Sequence, residues 1–258
     1  MSGSLNSIEM VYIGANKELL ILLSTAKMIE RYSIGATSKQ LNERYGIEEP
    51  CAHQARYNAA PSQLLPVITH EAPQGFSFFY WGQPPGWSKN KTLAEKIINV
   101  RAEQILDKPV LKKNLMQHRC LIPADGFYAW KKVGKKTMIP WRFSLKQKGI
   151  FSFPGLWEEY EDEDGNSFHT FTMITIPSND FVLTVTDRMP VILDKANEKI
   201  WLSKESTEND LTSLLETIPD QMDGFPVSPQ LNTISFDRPS LMLPVPPADQ
   251  FGNLTLFD

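Results

Sequence analysis

An α+β fold with a mainly antiparallel sheet is what this 258-residue chain predicts, on three observations. Short apolar and aromatic runs recur in pairs across turn signals, as hairpins require. Helix-like stretches are interspersed among them without strict alternation, which excludes a repeated β-α-β plan. Proline (19) outnumbers glycine (14), which suits extended segments and turns more than a helical bundle. No repeat period appears and no long linker divides the chain, so one domain is expected.

The elements follow in order. "SKQLNERYG" at 38–46 predicts a helix with Ser38 at its N-cap and Gly46 near its stop. "LLPVITH" and "GFSFFYWG" predict strands on either side of the turn "EAPQG". "TLAEKIINVRAEQIL" mixes helical and extended signals, "KPVLKKNLMQH" is helical, and "RCLIPADGFYAWKK" alternates as a strand. A "VGKK" turn leads to the strand "MIPWRFSL", followed by the strand "GIFSFPGLWEEY". The acidic tip "EDEDGNS" joins it to the return strand "FHTFTMITI". "DKANEKIWLS" and "ENDLTSLLETI" predict two more helices, and proline-rich irregular chain is expected from Pro219 onward.

Hydrophobic residues at 41% and charged residues at 22% are those of a globular protein with a real core. Two cysteines, Cys51 and Cys120, make no disulfide framework, so a reducing compartment is expected. No run reaches the length of a membrane span. "LLILLSTA" at 19–26 follows Lys17 and Glu18 and is too short and too weakly basic at its start for a secretory signal; a short helix or strand is the plainer reading. Net charge is −4, yet 15 lysines and arginines face 4 acids between Lys89 and Lys148, leaving −15 on the remainder. Such a local positive field suits a polyanion groove; solvated lysines spread over several faces would give the same count.

Candidate chemistry is sparse. Cys51-x-His53 and His118-x-Cys120 are i, i+2 pairs that share a face if extended, but zinc motifs space their ligands more widely, so no metal is expected. There is no Gly-x-Ser-x-Gly elbow, no Walker loop and no Gly-x-Gly-x-x-Gly, and no cofactor is expected. More telling are rigid aromatics beside hydrogen-bonding groups: Trp81 and Trp87 in "YWGQPPGW", Asn99, Arg101 and Glu103 in "NVRAE", and "ADGFYAW". Planar faces beside guanidinium groups bind single-stranded nucleic acid, because bases stack while arginine grips phosphate. Aromatics in strands also serve as core.

The order "ERY … ARYNAAPSQ … YWGQPPGW … NVRAEQI … RCLIPADGFYAW … PGLWE … TDRMPVIL … VSPQLN" resembles the SRAP family, the SOS response-associated peptidase domain, over residues 28 to 235. The resemblance implies a single α+β domain whose mainly antiparallel sheet curls into a barrel-like core with flanking helices. Residues 1–27 then form an N-terminal extension and 236–258 a C-terminal tail. Family members bind single-stranded DNA and cross-link to abasic sites. Their pattern begins Met-Cys-Gly-Arg: once the initiator methionine is removed, the N-terminal cysteine closes a thiazolidine on the abasic aldehyde through its amine and thiol. Here "MIERY" stands in that place, 27 residues into the chain, with Ile29 at the cysteine, Glu30 at the glycine, and Arg31 and Tyr32 retained.

The resemblance further puts the family's asparagine on Asn99, its acid on Ala129 and its histidine on Thr186. Nucleophile, carboxylate and imidazole are all replaced, and Ile, Ala and Thr supply none of that chemistry. Retained positions lie on the binding side: Arg31, Asn58, Trp81, Trp87, Asn99 and Arg101. Asp187 and Arg188, in "TDRMP", read as a simple ion pair. The expected protein is a SRAP-fold partner of single-stranded or abasic DNA, cytoplasmic and, in a bacterium, nucleoid-associated, with cross-linking lost. Two alternatives stay open: an active abasic-site lyase or autopeptidase with Cys51 as substitute nucleophile, and a protein-interaction module without DNA.

Overall fold

The computed structural model describes residues 28–82, 98–135, 137–161, 165–216, 219 and 221–246. The extension 1–27, with its "LLILLSTA" stretch, and Trp87 lie outside the described residues. Twelve strands are seen: β1 Arg31–Ile34, β2 Arg56–Ala59, β3 Leu64–Thr69, β4 Ser77–Trp81, β5 Asn99–Arg101, β6 Arg119–Ala124, β7 Gly126–Val133, β8 Thr137–Leu145, β9 Phe151–Glu161, β10 Ser167–Pro177, β11 Arg188–Pro190 and β12 Met222–Pro226. Among the described residues, six α-helices accompany them: α1 Ser38–Tyr45, α2 Ala102–Ile105, α3 Pro109–Gln117, α4 Asp180–Leu183, α5 Lys195–Leu202 and α6 Glu208–Leu214.

The strands form two sheets. In the first, β10-β4-β3-β6-β9 closes on itself, because β9 also pairs with β10, and the result is a five-stranded barrel. The 11-residue β10 is long enough to carry two partners on each edge: β9 then β11 on one, β4 then β5 on the other. Among the described residues, only the β10–β4 and β10–β5 pairings are parallel. The second sheet runs β12-β8-β7-β1-β2 and is antiparallel throughout. The α+β fold with a barrel core and flanking helices is therefore as the sequence predicts.

Aromatic side chains from both sheets meet in one core. The Tyr32 ring of β1 stands edge-on to Trp81 of β4 at 5.3 Å and to Phe153 of β9 at 6.0 Å, and Trp81 stacks over Phe171 of β10. Gly155 is the close approach that lets β9 and β10 shut the barrel: a Cβ there would meet Ile122 Cδ1 at 2.8 Å and Thr172 O at 3.0 Å. A smaller cluster of Tyr128, Val227, Leu231 and Leu241 covers the other face of the second sheet.

Three local expectations change. The α1 N-cap is Thr37, whose hydroxyl accepts from the Gln40 amide while the Gln40 side chain returns to the Thr37 N–H; Gly46 ends the helix at φ +67°. "RCLIPADGFYAWKK" is two strands, broken at Asp125, where the chain leaves the barrel for the second sheet. The Asp125 carboxylate accepts from Ser33 Oγ, from the Gly35 N–H at 2.6 Å and from Arg142 Nη2 at 2.9 Å, which fixes the corner. The segment after Pro219 contains strand β12 on the β8 edge, and packed chain continues past residue 235 to Leu241. No helix among the described residues is long and apolar enough to cross a membrane.

Candidate functional site

β1 and β7 pair antiparallel with Arg31 opposite Tyr128, so the residues leading into β1 run alongside Ala129. The turn after α4 brings Thr186 to the same place. Met28, Glu30, Ala129, Trp130, Met138 and Thr186 line one cavity of about 230 Å³. Ile29, between the lining residues Met28 and Glu30, is itself buried, and its carbonyl accepts a 2.8 Å hydrogen bond from Asn99 Nδ2. The positions picked from the sequence as reaction residues, Ile29, Ala129, Thr186 and Asn99, are thus brought together, although they come from four separate stretches of chain.

Polar groups here are short of partners. Among the described residues, Thr186 Oγ1, Asn99 Oδ1 and Arg31 Nε are buried without a hydrogen bond. Arg31 donates from Nη1 to the Glu30 carbonyl at 2.7 Å, and burial pulls its pKa down, partly offset by the charge of Glu30. Two residues beyond Asn99 on β5, and so on the same side of the strand, stands the half-buried Arg101. Glu103 follows; the Arg188 guanidinium grips it in two-pronged fashion at 2.6 and 3.0 Å, and that hydrogen bonding holds its carboxyl below the usual range. Arg188 therefore pairs with Glu103, reaching across from β11 to α2, and not with its chain neighbour Asp187.

Two other candidates are taken up by the fold. Trp81 is fully buried and its indole N–H donates to the Ile98 carbonyl at 2.8 Å, so it has no face to offer a base. Asn58 is equally buried; its Nδ2 donates to the carbonyls of Leu231, Thr233 and Phe236 and straps the C-terminal segment to β2. The basic stretch is divided as well. Arg119 and Arg142 point inward, and Lys112 pairs with Glu208. Cys51 is buried, with its thiol pKa pushed up by desolvation, and is not part of the cavity wall. His53 reaches the Ile34 carbonyl while His118 packs on Trp157, and no group of three or more His, Cys, Asp or Glu converges among the described residues.

Sequence reasoning missed Met28 and Met138 as cavity residues, and it singled out Glu30 and the "ADGFYAW" stretch that holds Trp130 without showing that they share one wall. The β7–β8 hairpin register was the available signal, since it pairs Met138 with Lys132, two residues along β7 from Trp130 and so on the same face of the sheet.

Comparison with known proteins agrees with this architecture. The chain is 37% identical over 221 residues to the abasic site processing protein YoqW of Bacillus subtilis (strain 168), covering 83% of this chain and 99% of that protein. YoaM of the same organism is 36% identical over 212 residues, covering 80% and 93%. A crystal structure of a protein from Bacteroides thetaiotaomicron superposes with a TM-score of 0.74 at 25% identity, covering 83% of this chain and 98% of that one. The sequence profile of the SOS response associated peptidase (SRAP) family matches residues 28–234, and the chain belongs to that family.

Proposed function

We propose that this protein binds single-stranded DNA, abasic strands included, and forms no covalent bond with it. The observation that carries the reading is the cavity wall. Of the positions that the family resemblance assigns to thiol, carboxylate and imidazole, the last two hold Ala129 and Thr186 in that wall, and the first holds Ile29, buried between the lining residues Met28 and Glu30. Among the described residues lining it there is no thiol, amine or imidazole to attack an aldehyde. Ile29 is also internal to the chain, so its nitrogen is an amide and not a nucleophilic amine. The buried Cys51, with its raised thiol pKa, is a poor substitute.

Relatives at 36 and 37% identity are named abasic site processing proteins, which supports a role on damaged DNA for this chain. The residues proposed to hold the strand are Arg31, which follows the cavity residue Glu30, Asn99, which bonds the Ile29 carbonyl, and Arg101, two residues further along β5.

Binding of labelled oligonucleotides across a salt series tests the reading. Single strands should bind more tightly than duplex, with affinity falling steeply as salt rises. Arg101→Ala should weaken single-strand binding by about 1–3 kcal/mol, as expected for a lost charge-assisted contact. Equal weak binding to single strand, duplex and heparin would sink the proposal in favour of a protein-interaction role.

A further inference from the structure

We infer that the cavity beside Ile29 takes an extruded nucleobase, not a bare abasic sugar; this rests on the single-strand reading above. Size is the first argument. The space of about 230 Å³ would hold some seven waters at ~30 Å³ each, room for one planar ring system. A deoxyribose stripped of its base is of similar size to a pyrimidine, so the volume admits a base and the wall chemistry selects it.

The wall chemistry is the second argument. Trp130 gives an aromatic surface and Met28 and Met138 give polarisable thioethers, the groups that pack well against the face of a base. Glu30 adds a carboxylate, an acceptor suited to the exocyclic amine of a base. Opposite in character, Thr186 is only 3% exposed, and its Oγ1 has no hydrogen-bond partner among the described residues. Such an orphaned hydroxyl costs free energy until something supplies a partner, and a ring nitrogen or carbonyl of a base would do so. With no thiol, amine or imidazole in the described wall, discrimination rests on shape, stacking and hydrogen bonding. Extrusion from a single strand also avoids the cost of unpairing a duplex.

The test uses the full chain and two single strands of one sequence. One carries 2-aminopurine at its centre and the other a tetrahydrofuran abasic analogue. Binding should quench the 2-aminopurine emission, and the abasic strand should bind about tenfold more weakly, as loss of one base's stacking implies. Ala129→Leu, which fills the cavity, should abolish the quench and bring the two strands to equal affinity. Thr186→Val keeps the shape without the hydroxyl and should narrow the preference, which guards against misfolding of the larger substitution. If both strands bind equally and the emission is unchanged, this inference fails while single-strand binding stands. If neither strand binds, it fails together with the proposed function.

Discussion

At the scale of single residues, the structure separates side chains that hold the fold from those left facing the cavity. Arg119 is an instance of the first kind. It is 1% exposed, and its guanidinium donates to the carbonyls of Leu115, Met116, Trp201 and Ser203 at 2.7 to 2.8 Å, tying the ends of α3 and α5 to β6. Replacing it leaves four carbonyls short of a donor. Arg119→Leu should therefore lower unfolding free energy by about 3 kcal/mol, measured by urea titration with circular dichroism. A change within about 0.5 kcal/mol would contradict the role assigned to it. Asn58 and Trp81 teach the converse lesson. Both sit in stretches that resemble a DNA-binding family, and both spend their polar atoms inside the protein. Local sequence carries residue type and spacing, but not which way a side chain faces once distant strands close over it.

At the scale of elements, the hairpins were legible and the corner between sheets was not. "LLPVITH" and "GFSFFYWG" became β3 and β4 because two short apolar and aromatic runs on either side of a turn signal suffice to define a hairpin. The break at Asp125 carries only an Asp-Gly turn signal, which does not say that the chain changes sheets there. It exists because Ser33, Gly35 and Arg142, remote in sequence, converge on one carboxylate. The same holds for β12, whose "MDGFP" contains glycine and proline and forms a strand only because β8 offers an edge. Asp125→Ala should leave the largely buried Arg142 without its counter-charge and cost about 3–5 kcal/mol. Chemical denaturation checks this, and a near-neutral result would mean that the corner is held by packing alone.

At the scale of the whole molecule, stability should respond to mild acid. His53 and His70 are both buried, and desolvation is the first cause of their lowered pKa values. The folded chain thus favours neutral imidazole, while the unfolded chain takes up protons near pH 6.5. Stability is full above that pH and falls as pH drops below it, towards the lower folded-state values. The urea midpoint should decline from pH 7.5 to pH 5.5, and His70→Gln should flatten the decline. A midpoint that rises over this range would contradict the assignment.

The site was legible in part, and for a reason that belongs to the whole fold. Ile29, Asn99, Ala129 and Thr186, the positions that the family resemblance assigns to the reaction, could be named by matching motifs, and the fold brings them near one another. That Glu30, Trp130 and Met138 complete the cavity depends on how β1, β7 and β8 lie against one another, which motif spacing does not encode.

The claim at the centre of this account is that the frame of the reaction site persists while its covalent chemistry is gone. Incubating the full chain with a single strand carrying a natural abasic site, then running a heated denaturing gel, tests it most directly. The account predicts oligonucleotide at its free mobility and protein at its own intact mass; a shifted band that survives heating would contradict it.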